Sequence, residues 1–167
     1  MSTAASHPLT RRRLVAGAAA ASAALALPHA LAQAPAKPAL VGPLAPNPAE
    51  FKKTREDFIG KATPQAEGLH VDIPVLADNP GAVPVKAKIT LPITEQDWCE
   101  EMIVVAELNP TPLSCRMYFF ADTGTAEAAV RIRLSQSQTI YVLARMRSGT
   151  VLQAKQMVTV AASGCGM

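Results

Sequence analysis

Cys99, Cys115, Cys165 and His70 carry most of the reactive chemistry this 167-residue sequence offers once its leader is set aside. One imidazole cannot furnish a multi-histidine metal centre or a histidine-based catalytic set, and three thiols do not make the framework of a disulfide-stapled miniprotein. Cys165 stands apart from the other two. It lies in Ala161-Ala162-Ser163-Gly164-Cys165-Gly166-Met167, and the glycines on either side leave its sulfur sterically open. No Lys, Arg or His is close in sequence, so nothing there activates the thiol as a nucleophile by itself. An open, unactivated thiol suits a covalent carrier better than a catalyst. Five residues separate it from Val160, and at ~3.5 Å each they extend the sulfur on the order of 17 Å past the last strand, enough to enter a partner's channel. An exposed thiol in an oxidising compartment is a liability, which favours a functional cysteine over an incidental one.

The elements that must position this arm follow from the rest of the chain. Residues 1–32 read as a twin-arginine signal: Arg11-Arg12-Arg13, the apolar run Leu14–Leu27, then Ala30-Leu31-Ala32. The apolar run is shorter than the roughly 20 residues of a membrane-spanning helix. Removing the leader takes three of the 16 basic residues and none of the 13 acidic ones, so the mature chain is electrically balanced. A polycationic nucleic-acid or membrane surface is thereby excluded. The expected location is the periplasm. Export in the folded state, with no residues suited to a cofactor, points to a partner subunit carried along.

Residues 33–47 hold Pro35, Pro38, Pro43 and Pro46 and read as a linker. Asn47-Pro48-Ala49-Glu50 combines an N-cap, a proline at the first helical position and an acid at the third. It predicts a helix to Ile59, stopped at Gly60, with Phe51, Phe58 and Ile59 on one side. From Gly68 the period becomes two. Seven strands are expected: 69–75, 85–91, 102–108, 113–121, 126–134, 138–147 and 151–160. This predicts an all-β domain over 68–160, an immunoglobulin-like two-sheet β-sandwich preceded by one short helix and followed by a flexible arm, 161–167.

Asn109-Pro110-Thr111-Pro112, Arg131-Ile132-Arg133-Leu134, Ser137-Gln138-Thr139 and Gly164-Cys165-Gly166, together with the leader and the short helix, resemble the SoxY family. These are sulfur-carrying subunits of the periplasmic Sox thiosulfate-oxidation system. The resemblance covers essentially the whole mature chain. It implies that Cys165 is the covalent attachment site, with Gly164 and Gly166 giving the arm its freedom, and that no catalytic residue, metal or cofactor is needed. The partners it implies are a SoxZ-like β-sandwich subunit in a heterodimer, the c-type cytochrome SoxAX, the hydrolase SoxB and, where present, SoxCD. Ser163 and Met167 depart from the family's Gly-Gly-Cys-Gly-Gly ending.

Cys115 is expected on a buried face with Leu113, Met117 and Phe119, opposite about Glu107 if Asn109 and Leu113 flank a tight turn. That places it far from Cys99 along the same strand pair. His70 is expected to point outward with Asp72. Arg131 and Arg133 are expected beside Arg145 and Arg147 on the polar faces of two neighbouring strands, as a solvated surface or a partner interface. Two other classes remain open. A thiol peroxidase would need a base or resolving cysteine beside Cys165, and a binding or assembly module in another periplasmic pathway would leave the cysteine incidental; the nearest competitor is a SoxY-like carrier serving a different periplasmic pathway.

Overall fold

The computed structural model describes Leu40 and residues 42–161. Among the described residues a 3-10 turn, Gly42–Leu44, precedes helix α1, Pro48–Ile59. Asn47 caps the helix as expected, its side-chain oxygen accepting from the Glu50 amide at 3.1 Å. Gly60 ends it at φ 61°, a backbone region that favours glycine. Among the described residues no helix is long and apolar enough to cross a membrane.

Eight strands follow: β1 (Leu69–Asp72), β2 (Leu76–Ala77), β3 (Val83–Ile89), β4 (Cys99–Ala106), β5 (Leu113–Tyr118), β6 (Glu127–Ile132), β7 (Gln138–Met146) and β8 (Val151–Val160). They form two sheets, ordered β1-β3-β6 and β2-β8-β7-β4-β5. The immunoglobulin-like sandwich is thus present. The strand expected over 69–75 stops at Asp72, where β1 pairs with β3, and just beyond the expected end β2 pairs in parallel with β8 in the other sheet. Pro74 lies at the break, where a residue without an N–H cannot continue a ladder.

The main core fills the space between the sheets, with Val83, Val85, Ala87 and Ile89 from one side and Met102, Val104, Ala106, Ile140, Val142 and Ala144 from the other. The opposite face of the larger sheet is also covered. Ile103, Val105, Leu143 and Val151 pack under Phe58 of α1, with Phe51 and Ile59 beside it. Burial on both faces explains why Met102–Ala106 is an unbroken apolar run instead of an alternating one.

The β4–β5 connection differs from the expected tight turn. Val105 pairs with Leu113 and Val104 with Cys115, with a register shift between them, so Cys115 faces Val104 and not Glu107. The shift also turns Leu113 toward the α1 side, while Cys115, Met117 and Phe119 pack against the main core; the four do not share one face. The loop is wider because Glu107 and Leu108 bond toward β7, to the Thr139 carbonyl at 3.1 Å and the Gln138 side chain at 2.6 Å.

Candidate functional site

Residues 162–167, expected as the arm, follow β8, and three hydrogen bonds fix the end of that strand. The Thr159 amide donates to the Val75 carbonyl (2.8 Å), Val160 to the Ser137 hydroxyl (3.0 Å) and Ala161 to the Ala77 carbonyl (3.0 Å). Gly164, Cys165 and Gly166 lie outside the described residues. Their attachment point does not: it sits between the short edge strand β2 and the β6–β7 connection.

Three of the sequence motifs converge at this end. Asn109 is 8 % exposed, and its amide donates to the Arg133 carbonyl at 2.8 Å. Its side-chain oxygen accepts from the Ser135 amide (3.0 Å), the Ser135 hydroxyl (3.1 Å) and the Gln138 amide group (2.8 Å). Gln138, 1 % exposed, accepts from Leu108 and donates to the Gln136 carbonyl at 3.1 Å. Buried amides with every group partnered are rigid, since breaking any one bond leaves a polar group dry. The Asn109-Pro110-Thr111-Pro112 loop is thereby pinned to residues 133–138, and Ser137 of that segment holds the end of β8. The role of Gln138 was open to detection from its place in period two with Ile140 and Val142, a polar residue at an inward position.

Beside this network lies a cleft of ≈ 390 Å³ walled by Pro80, Gly81, Pro110, Thr111, Leu134 and Arg133. The Leu134 amide donates to the Pro80 carbonyl at 2.7 Å and closes one wall.

The arginines do not form the shared surface expected of them. Arg131 lies on β6 of the smaller sheet, and Arg145 on β7 of the larger one. The 133–137 connection crosses between sheets, so β6 and β7 are not neighbours. Arg145 stacks over the Phe58 ring at 4.5 Å and pairs with Glu101 at 3.5 Å, while Arg147 stacks over Trp98 at 5.1 Å and pairs with Glu100 at 2.8 Å. Glu101, only 8 % exposed, also pairs with Arg116. These contacts anchor α1 and the sheet edge. On the smaller sheet, Lys86 and Lys88 bond the Glu127 carboxylate and hold its pKa below the ordinary value. His70 points outward there, as expected.

Cys99 and Cys115 are both free thiols. Cys99 is fully buried, donates to the Glu101 carbonyl at 3.6 Å, and burial pushes its thiol up to about 11. Cys115 is half-buried. Five residues of β4 separate Cys99 from the partner of Cys115, about 17 Å at strand rise, far beyond disulfide reach. Among the described residues no three His, Cys, Asp or Glu side chains gather as a metal site.

An immunoglobulin-like two-sheet sandwich whose last strand ends beside a rigid polar network is the class of fold these residues define. The family profile "Sulfur oxidation protein SoxY" matches residues 55–165. The chain belongs to the SoxY family. Among solved structures, the sulfur carrier protein SoxY from Chlorobium limicola f thiosulfatophilum aligns with TM-score 0.56 and 16% identity, covering 69% of this chain and 99% of that one. A superoxide reductase (neelaredoxin) from Ignicoccus hospitalis aligns with TM-score 0.51 and 12% identity, over 57% of this chain and 81% of that one. At such identities both likenesses speak for the fold alone. No curated protein sequence matches the chain.

Proposed function

We propose that this protein is a periplasmic sulfur carrier that holds thiosulfate-derived intermediates on Cys165. The observation that carries the reading is the extent of the family match, which runs from α1 through the sandwich to Cys165 itself. The three-bond anchoring of β8 supports it, because a swinging arm needs a fixed origin. Loading joins the Cys165 sulfur to the outer sulfur of thiosulfate, giving Cys–S–S–SO3⁻ with release of one proton and two electrons. A c-type cytochrome of the SoxAX kind takes those electrons. Later steps belong to SoxB-like and SoxCD-like enzymes, and the chain itself supplies no catalytic group.

The functional unit is a heterodimer with a SoxZ-like subunit, exported by the twin-arginine route after residues 1–32 direct it. The domain plan is a 33–47 linker, the 48–60 helix, the 68–160 sandwich and the 161–167 arm, in which Gly164 and Gly166 flank the loaded residue. Intact mass spectrometry without reductant, on protein from the periplasm of thiosulfate-grown cells, tests this. Reductant-sensitive sulfur, sulfonate or thiosulfonate adducts mapping to Cys165 are expected, and a Cys165→Ala chain that still acquires an adduct would overturn the assignment.

A further inference from the structure

Strand β5 ends the larger sheet, and among the described residues nothing pairs with its far side. The ladder to β4 is regular from Cys115 to Tyr118, with Cys115 facing Val104, Arg116 facing Ile103, Met117 facing Met102 and Tyr118 facing Glu101. The Phe119 amide then donates to the Glu100 carbonyl at 3.2 Å, and Phe120 stays extended at φ −129° and ψ 155°. Alternate residues of an antiparallel strand turn their backbone groups to opposite sides, so the N–H and C=O of Arg116 and Tyr118 face away from β4. They are a template for another strand. Tyr118 and Phe120 stand 64 % and 68 % exposed, while Cys115, Met117 and Phe119 are half-buried against the main core. An uncovered edge flanked by exposed aromatic rings has the chemistry of an interface.

The residue order along this edge says what covers it. Read about Met117, the run Ser114-Cys115-Arg116-Met117-Tyr118-Phe119-Phe120 is complementary to itself when laid antiparallel. Arg116 of one copy falls opposite Tyr118 of the other, where the outward backbone groups of both exchange hydrogen bonds and guanidinium meets ring. The ion pair with Glu101 holds Arg116 on that face. Cys115 falls opposite Phe119, and Met117 meets its own copy on the axis. Other centres fail. An axis at Arg116 sets two guanidinium groups opposite each other. One at Tyr118 runs the ladder into the 3-10 turn Ala121–Thr123, and one at Cys115 brings Tyr118 opposite Pro112, which has no N–H to give.

We infer that β5 pairs with β5 of a second copy, antiparallel about Met117, joining the two larger sheets into one continuous sheet. The interface is isologous, so each contact off the axis is made twice. This goes beyond the carrier reading and leaves that role unhindered. β5 and β2 are opposite edges of the larger sheet, and the end of β8 is bonded on the β2 side. The two segments that carry Cys165 therefore start on the outer flanks of the pair, where separate partner enzymes can reach each. A SoxZ-like subunit binds a different face of each carrier.

Sedimentation equilibrium of the mature chain, 33–167, under reductant tests the pairing. A monomer–dimer equilibrium in the micromolar range is expected, since a single edge is at the small end of specific interfaces. Tyr118→Ala should weaken dimerisation roughly tenfold, because symmetry removes two cation–π contacts at once. Thermal unfolding of the monomer should not change at so exposed a site. Cysteine crosslinking in a Cys115→Ala, Cys165→Ala background reads the register. Met117 and its copy form a non-hydrogen-bonded pair, about 4.5 Å between Cα atoms and within disulfide geometry. With oxidised glutathione taking up the two electrons, Met117→Cys should give a covalent dimer. Arg116→Cys, about 9 Å from its own copy, should not. A chain that stays monomeric at millimolar concentration, an affinity untouched by Tyr118→Ala, or equal crosslinking in the two cysteine variants overturns the pairing. So does loss of the Met117→Cys crosslink on adding a SoxZ-like subunit at equal concentration, which would give the edge to that subunit. None of these measurements involves an adduct on Cys165, so their failure is distinct from failure of the carrier role.

Discussion

The side-chain amide of Gln138 donates to the side-chain oxygen of Asn109 at 2.8 Å, and this buried contact joins the 109–112 loop to the 133–138 connection, whose Ser137 hydroxyl accepts from the Val160 amide at the end of β8. Replacing Asn109 by alanine strands the Gln138 amide, the Arg133 carbonyl and the Ser135 amide together. The expected cost is about 2–3 kcal/mol, above that of an ordinary surface change. Asn109→Asp keeps the acceptor but loses the donor to Arg133, and should fall between alanine and the native chain. Urea unfolding of the three proteins checks the order, and an Asn109→Ala midpoint equal to wild type would refute it.

Cys99 makes stability depend on alkaline pH. Its thiol, buried and neutral when folded, is raised from 9.0 to about 11, whereas the unfolded chain ionises at the ordinary value. Between those values the unfolded state binds fewer protons, so stability falls as pH rises, in total by roughly 2–3 kcal/mol. Below pH 9 the contribution is fully present. Chemical denaturation between pH 8 and 11 should show this loss, and Cys99→Ala should flatten that part of the curve.

Much of this architecture is legible in the residues, and the parts that are not share a cause. Asn47, Pro48 and Gly60 mark α1 because caps act locally, and period two marks the strands because one side chain in two meets the core. Pairing across distance is different. Nothing near Leu76 reveals that it leaves the β1 sheet to lie beside Thr159, and nothing near Cys115 reveals a register shift set by Glu107 and Leu108 bonding toward β7. The separation of Arg131 from Arg145 likewise follows from a crossing between sheets, which spacing does not encode. Cys165 is singled out as a candidate by its glycine neighbours alone, whereas the Asn109–Gln138 network depends on loops distant in sequence.

Glu101 is held by Arg116 and Arg145 beneath α1, and Arg145 also donates to the Phe58 carbonyl at the helix's last turn. Removing the carboxylate leaves two cations, Arg145 partly buried and Arg116 exposed, facing each other without compensation. Glu101→Ala should cost about 2 kcal/mol, discounted from the value for fully buried pairs because both arginines reach solvent. Adding Arg116→Met should recover part of the loss by relieving that repulsion. Additive effects in a double-mutant cycle would show instead that the pair is not coupled.

Helix α1 depends on one anchor more than on its own propensity. Phe58 is 4 % exposed among Ile103, Val105, Leu143 and Val151, while Asn47 serves only the first turn. Twelve residues are marginal for an isolated helix in water, so docking must supply most of its stability. Phe58→Ala should therefore cost about 3–4 kcal/mol, with a cavity over the larger sheet, against about 1 kcal/mol for Asn47→Ala. Thermal unfolding ranks the two, and hydrogen exchange locates the loss. In Phe58→Ala, amides of 48–59 should exchange far faster while those of β4 and β7 remain protected by the main core. Uniform acceleration across both would mean that the helix and sandwich form a single cooperative unit.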